Sequence, residues 1–100
     1  MIKIKIGYLD NQVNEIIING HSGYDVSGKD IVCASVSSIA ITTINAILRF
    51  DSKALTYEEQ DGYLKINLIN HNGYIDTLII NMIDLFKDLE KDYNKYIKIK

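Results

Sequence analysis

The chain of 100 residues has a single cysteine and only two histidines. One cysteine excludes an intramolecular disulfide framework and fits a reducing compartment, so we expect a cytoplasmic protein. One cysteine and two histidines do not make a structural zinc set at any usual spacing, so we predict no metal site. A glycine-rich phosphate loop of the Walker or dinucleotide type is also missing, and we expect no cofactor.

The charge balance is nearly even, with 11 basic and 13 acidic residues and a net charge of −2. It gives no electrostatic case for binding nucleic acid. The N-terminal stretch MIKIKIGY alternates apolar and basic residues and has no signal-type apolar core. We predict that no apolar run is as long as a membrane span, and we therefore expect no contact with a membrane. With 47% hydrophobic residues, the composition predicts one globular domain over residues 1–100.

Periodicity predicts two hairpins, two helices and a closing strand. Ile2, Ile4 and Ile6 alternate with lysines, and Val13 to Asn19 follow the turn residues Asp10-Asn11-Gln12. The further elements are strands over Leu55 to Glu59, Tyr63 to Ile69 and Tyr96 to Lys100, and helices over Ile31 to about Leu48 and Tyr74 to about Asp92. This ββαββαβ order predicts an α+β fold, a two-layer sandwich of two helices on a mostly antiparallel or mixed five-stranded sheet.

The stretch from Gly20 to Ser37, GHSGYDVSGKDIVCASVS, holds the chemistry. Cys33 stands in the first turn of the predicted helix, where backbone N–H groups and the helix dipole favour a thiolate. Imidazole is the side chain best suited to take the thiol proton near neutral pH, and His21 is the nearest candidate. Taken alone, a cysteine in an apolar helix is more often a small buried hydrophobe.

Three neighbours have two interpretations each. Asp30 is either the helix N-cap or a carboxylate that orients the imidazole, and capping is favoured because a nearby carboxylate repels a thiolate. Ser37 shares the helix face of Cys33 and bonds either near the site or to a carbonyl one turn back. Gly20 is either a strand terminator or the hinge of a loop over Ser22 to Lys29 that covers a bound peptide.

A weak internal echo adds a rival base. Residues 16–24 read IIINGHSGY and residues 66–74 read INLINHNGY, each between a hairpin and a helix. His71 therefore competes with His21, although it can equally be a residue that only precedes the second helix. The second unit has no cysteine, so His21 is favoured.

The blocks Gly20-His21 and Gly28 to Ala34 (GKDIVCA), with Ser37 after them, resemble the ribosomal-processing cysteine proteases of the Prp or YsxB-like family. The spacing of twelve positions between His21 and Cys33 (33 − 21) matches that family, as do chain length and element order. The family commonly has alanine after the histidine, whereas this chain has Ser22, which we interpret as one small residue replacing another.

The resemblance implies a cysteine endopeptidase with Cys33 as nucleophile and His21 as general base. It also implies the substrate, the N-terminal extension of a large-subunit ribosomal protein, the twenty-seventh by convention. The first helix is apolar nearly all round, which favours a homodimer, and the resemblance points the same way. The alternative is a non-catalytic module that binds a ribosomal or assembly partner through that helix, with Cys33 as a packing residue.

Overall fold

The computed structural model describes residues 1–26 and 29–100, so Ser27 and Gly28 of the predicted loop lie outside the described residues. The elements follow in the predicted order, with bounds that differ from prediction by no more than three residues. They are β1 (Ile2–Leu9), β2 (Gln12–Asn19), α1 (Ile31–Phe50), β3 (Leu55–Gln60), β4 (Tyr63–Leu68), α2 (Gly73–Asp92) and β5 (Ile97–Ile99).

Two tight turns close the hairpins where the sequence predicts them. Asp10 and Asn11 both adopt positive φ angles, 51° and 64°, a backbone that matches the twist of the flanking strands. Gly62, with φ 68°, closes the second hairpin between Gln60 and Tyr63. Asp, Asn and Gly tolerate this region better than other residues, which explains why these turns form here.

The five strands form one mixed sheet in the order β3-β4-β2-β1-β5. The two hairpins meet through an antiparallel β2–β4 pair, in which Ile16 lies opposite Ile66, the first residues of the two echoed stretches. Strand β5 pairs with β1 in parallel, so the sheet is mixed rather than fully antiparallel. The predicted fold class is confirmed.

The core lies between the helices and the sheet face that carries the alternating isoleucines. Ile4, Ile16 and Ile66 are fully buried there, whereas Lys3 and Lys5 on the other face are exposed. Amphipathic α2 contributes its apolar stripe, and α1 contributes residues spaced three or four apart. The buried helix residues are Val32, Val36, Ala40, Thr43, Ile44, Ile47, Ile75, Ile79, Met82, Ile83 and Phe86.

Helix α1 corrects one expectation. Its 20 residues are long and apolar enough to span a membrane by length and composition alone. The prediction that no run reaches the length of a membrane span is therefore wrong for this helix. A core helix passes the same test, and six residues of α1 are buried inside the domain. Its exposed positions include Ser37, Ser38, Thr42 and Asn45. The predicted homodimer stays a prediction.

Candidate active site

Three parts of the chain meet at one open cleft of about 740 Å³. They are the segment after β2, the first three turns of α1 and the β3–β4 turn. The β2–β4 pairing explains this convergence, because Asn19 at the end of β2 lies opposite Tyr63 at the start of β4. Of the predicted site residues, Gly20, His21, Asp30, Cys33 and Ser37 all line the cleft.

Gly20 occupies a position that only glycine fits. Its φ of 100° lies in a region that L side chains rarely adopt, and a Cβ there would overlap the carbonyl oxygen of Met1. The Gly20 N–H donates to the carbonyl of Gly62 at 2.8 Å, which ties the end of β2 to the β3–β4 turn. The glycine is therefore required by packing in this conformation, and its role as a loop hinge stays a prediction.

Cys33 is the third residue of α1 and is half-buried. The backbone N–H of Ser22 points at its sulfur, with an N–Sγ distance of 3.4 Å. An N–H aimed at sulfur and the positive end of the helix dipole both favour negative charge on Sγ. The thiol thus lies where a nucleophile is useful, at the wall of an open cleft.

Asp30 is the N-cap of α1. Its Oδ1 accepts the backbone N–H groups of Val32 and Cys33 at 3.0 and 2.9 Å. Its Oδ2 accepts the hydroxyl of Ser22 and the N–H of Tyr24, so the same carboxylate ties the loop to the helix. Among the described residues, its hydrogen bonds do not include one to the His21 imidazole. The contacts are those of a cap.

These contacts fix the charge of Asp30. Burial raises the pKa of the carboxyl, but the hydrogen bonds from the Ser22 hydroxyl and from the backbone N–H of Cys33 outweigh it. The net effect is that the pKa of Asp30 lies below its usual value of 3.8. Asp30 is therefore a carboxylate at neutral pH and a hydrogen-bond acceptor only.

His21 lines the same cleft but lies in a more exposed environment. Its side chain is 63% exposed, and its Nε2 lies 3.9 Å from the Asp61 carboxylate. The imidazole rests against Gly62, where an added Cβ would come within 2.7 Å of Nε2. In the part of the chain that the structure describes, no hydrogen bond joins His21 to Cys33.

His71, the rival base, lies at the other end of the sheet. Strands β2 and β4 are antiparallel, so the residues after β4 lie far from those after β2. His71 Nδ1 is 2.9 Å from Oδ1 of Asp76 in the first turn of α2. The residues that line the cleft do not include it. The structure thus brings His21, and not His71, to the cleft of Cys33.

Ser37 lies on the cleft wall one turn beyond Cys33, as predicted, and is exposed. Its hydroxyl has no hydrogen-bond partner among the described residues. The bond to a carbonyl one turn back is made instead by Ser35, whose Oγ donates to the carbonyl of Ile31 at 2.7 Å. Ser37 therefore presents an exposed hydroxyl at the wall of the cleft.

Sequence reasoning missed Ser22, which it treated as a small replacement for alanine. The residue is 4% exposed and hydrogen-bonded to Cys33, Tyr24 and Asp30. It missed as well an aromatic anchor of the loop, in which Tyr24 packs edge-on against Tyr93 and Tyr96. A serine and a tyrosine in a polar loop carry no signal of their own, because their partners depend on the path of the loop.

Comparisons with known proteins identify the family. The chain is 29% identical over 103 residues to the ribosomal processing cysteine protease Prp of Staphylococcus aureus, a match that covers 99% of this chain and 97% of the relative. Its fold is similar to a crystal structure of that S. aureus protease in complex with a covalently linked product peptide. The TM-score is 0.94 at 27% identity, covering 100% of this chain and 98% of the other.

A second crystal structure of the S. aureus protease, in complex with a substrate peptide, gives a TM-score of 0.88 at 26% identity and covers 100% of this chain and 98% of that one. The family described as cysteine protease Prp matches residues 1–98, nearly the whole sequence. With a cysteine at the start of α1 and a histidine that lines the same cleft, the chain belongs to the Prp family of cysteine proteases.

Proposed function

We propose that this cysteine protease processes a ribosomal protein by removing its N-terminal extension. The support is the S. aureus relative, which is named for ribosomal processing and has been crystallised with a substrate peptide and with a covalently linked product peptide. The finer proposal, that the substrate is the twenty-seventh protein of the large subunit, rests on the motif resemblance. Membership of a protease family removes the non-catalytic binding module from consideration.

In the proposed reaction Cys33 Sγ attacks the carbonyl carbon of the scissile peptide bond. His21 takes the thiol proton as the C–S bond forms and gives it to the leaving amine as the C–N bond breaks. Water then hydrolyses the thioester, with His21 as base, which releases the second product and restores the thiol. One observation supports these roles above all: Cys33 and His21 line the same cleft, and the residue next to His21 contacts Sγ.

The backbone N–H groups at the start of α1 already donate hydrogen bonds, so fewer of them are available to an oxyanion than at an uncapped helix N-terminus. The N–H groups of Val32 and Cys33 both donate to Asp30 Oδ1, and the N–H of Ala34 donates to the Asp30 carbonyl at 3.1 Å. A carbonyl oxygen of the substrate that used them would have to displace Asp30. Oxyanion stabilisation by these N–H groups therefore requires a rearrangement of the cap when the peptide binds.

Access to His21 is the second requirement. The thiol and the imidazole share no hydrogen bond among the described residues, so productive catalysis needs the two groups to approach. His21 is exposed, and the described residues that it contacts, Asp61 and Gly62, belong to the β3–β4 turn, so the imidazole has room to move when a peptide fills the cleft. Cytoplasmic location and a homodimer remain predictions for this protease.

The test is incubation of the protein with a synthetic peptide that spans the extension and the first residues of the mature ribosomal protein. Mass spectrometry should find two products and, on rapid acid quench, an acyl-enzyme whose added mass equals that of the N-terminal product minus one water. A scrambled peptide of the same composition is the control. Cleavage of both peptides at equal rates, or of neither, would contradict the proposed substrate.

A further inference from the structure

Ser22 connects the nucleophile to the helix cap. It is nearly buried, and its hydroxyl oxygen lies 3.6 Å from Cys33 Sγ and in contact with Oδ2 of Asp30. The same oxygen accepts the backbone N–H of Tyr24 at 3.2 Å. A single hydroxyl thus lies between the carboxylate that caps α1 and the sulfur that attacks the substrate.

The directions of these bonds follow from the number of protons available. A hydroxyl has one proton to donate, and an ionised carboxylate can only accept. The proton of the Ser22 hydroxyl therefore belongs to the bond with Asp30, a charge-assisted contact and the strongest of the set. The lone pairs of Oγ are left to face the N–H of Tyr24 and the sulfur of Cys33.

An oxygen lone pair aimed at sulfur favours the S–H form, because a thiolate would be repelled by it. The thiol has one proton, which it donates either to Ser22 or to His21. In the described residues the contact with Ser22 is present, and a contact with His21 is not. The resting thiol proton accordingly lies on the side of Cys33 that faces Ser22.

We propose that Ser22 is a positioning residue whose hydroxyl, held by Asp30, favours the neutral thiol form of the resting Cys33 and keeps the S–H directed toward Ser22 Oγ and away from His21. The inference rests on the proposed roles of Cys33 and His21 but not on the identity of the substrate. Activation then requires the S–H to leave Ser22 and turn to the imidazole. The chain Cys33–Ser22–Asp30 restrains the nucleophile until a peptide brings His21 to it.

The backbone N–H of Ser22 acts in the opposite sense, since it donates to Sγ and favours the thiolate. Substitution of Ser22 by alanine keeps this N–H and removes only the hydroxyl. The reactivity of the thiol toward iodoacetamide at pH 7, measured without substrate, isolates the effect of that hydroxyl. We expect Ser22→Ala to react about 2- to 10-fold faster than the wild type, the range that one ordinary hydrogen bond supports.

The dependence on Asp30 makes the test sharper. In Asp30→Asn the side chain still caps α1 but no longer carries the charge that holds the hydroxyl proton. The Ser22 hydroxyl can then donate to sulfur, so adding Ser22→Ala to Asp30→Asn should no longer raise the alkylation rate. Ser38→Ala, an exposed serine of α1 that does not line the cleft, is the matched control and should react like the wild type.

Slower alkylation of Ser22→Ala, or the same increase with and without the Asp30 charge, would overturn the proposal. Circular dichroism of each variant checks the fold, and Ser22→Gly, which also lacks the hydroxyl, replaces the alanine variant if that one unfolds. Because no peptide is used, a protein that fails to cleave the ribosomal substrate still gives an answer here. The two proposals therefore fail separately.

Discussion

The chain builds the same local structure twice, a hairpin followed by a histidine and a capped helix, and has a cysteine in only one of the two copies. Each antiparallel hairpin leads through a histidine to a helix with an Asx N-cap, Asp30 for α1 and Asn72 for α2. In both caps a side-chain oxygen accepts the N–H of the third helical residue at 2.9 Å. That third residue is Cys33 in the first unit and Ile75 in the second.

The difference lies in the length of chain between the histidine and the cap. His71 directly precedes Asn72, so its imidazole turns onto its own helix and pairs with Asp76. In the first unit nine positions separate His21 from Asp30 (30 − 21), enough for the loop to turn back and place Ser22 against Cys33. Both helices begin at a capped N-terminus, but only the loop of the first unit brings hydrogen-bond partners to Cys33, namely the N–H and the hydroxyl of Ser22.

Burial separates the two third-position residues. Ile75 of α2 is fully buried in the core, whereas Cys33 of α1 is half-buried at the wall of the cleft. The same position in a capped helix therefore belongs to the core in one unit and lines the cleft in the other. The comparison suggests experiments that treat the two units as a matched pair.

The largest effect is expected at Cys33. Cys33→Ala should abolish peptide cleavage, because the attacking atom is lost, while the size change is small and the fold should persist. Product formation measured by mass spectrometry, with thermal unfolding as the fold check, tests this. Turnover retained by Cys33→Ala would end the assignment of the nucleophile.

The two histidines give the next largest contrast. His21→Ala should lower kcat by roughly 10²- to 10⁴-fold, the usual cost of losing a general base. His71→Ala removes a half-exposed contact with Asp76 at the other end of the sheet and should stay within a few-fold of the wild type. Steady-state kinetics on one peptide compares them, and reversed effects would assign the base to the second unit.

A smaller loss is expected at Gly62, whose counterpart for comparison is Gly73 at the start of α2. An alanine Cβ at position 62 would come within 2.7 Å of the His21 imidazole, and the φ of 68° adds backbone strain. We expect Gly62→Ala to lower cleavage by about 10-fold and stability by roughly 1–2 kcal/mol. Gly73 has open space around it, so Gly73→Ala should keep full activity and stability. Wild-type kinetics in a folded Gly62→Ala would mean that the imidazole does not rest on this turn during catalysis.

The smallest effects concern the caps and their response to acid. Asp30→Ala and Asn72→Ala should each cost about 1 kcal/mol of stability. The pKa of Asp30 is lowered in the folded protein, so its contribution is fully present above the ordinary value of 3.8 and is lost as the pH falls through the lowered value. The amide of Asn72 does not titrate.

Urea unfolding between pH 6 and pH 3 measures that difference. Stability of Asp30→Asn should fall less steeply below about pH 4 than that of the wild type, because the unfolded wild type takes up one more proton there. The Asn72→Ala curve should instead run parallel to the wild-type curve. Parallel curves for both variants would show that the folded Asp30 carboxylate gains nothing from its hydrogen bonds.

Local patterns predict most of the fold and part of the site. The alternation around Ile4 and the turn at Gly62 specify hairpins within a few residues, and the motif from Gly20 to Cys33 identifies the cleft. The order of the strands in the sheet cannot be predicted from local patterns, because the β2–β4 and β1–β5 pairs join residues that are distant in sequence. For the same reason the contact of Gly62 with His21 could not be predicted, since it exists only when the two hairpins meet.

The role of Ser22 shows a second limit. The contacts of Ser22 with Asp30 and Cys33 form because the loop brings the residue next to the helix cap. The path of a loop, rather than the type of residue, decides which hydrogen-bond partners its side chains meet. The family commonly has alanine at this position, and the similar size of serine and alanine hides the difference that the hydroxyl makes. Three-dimensional proximity, not sequence motif, identifies it.

The parallel pairing of β5 with β1 has a consequence for the order of folding. It joins Ile2 to Ile97, 95 positions apart (97 − 2), and long loops close later than local hairpins. Tyr93 and Tyr96 lie just before β5, and both pack against Tyr24, which follows β2 in the loop that leads to α1. During synthesis the segment with His21 and Cys33 emerges well before these tyrosines, so we expect the loop to be anchored only after β5 has been made. A nascent chain would therefore carry both His21 and Cys33 for some time before Tyr24 is anchored between Tyr93 and Tyr96.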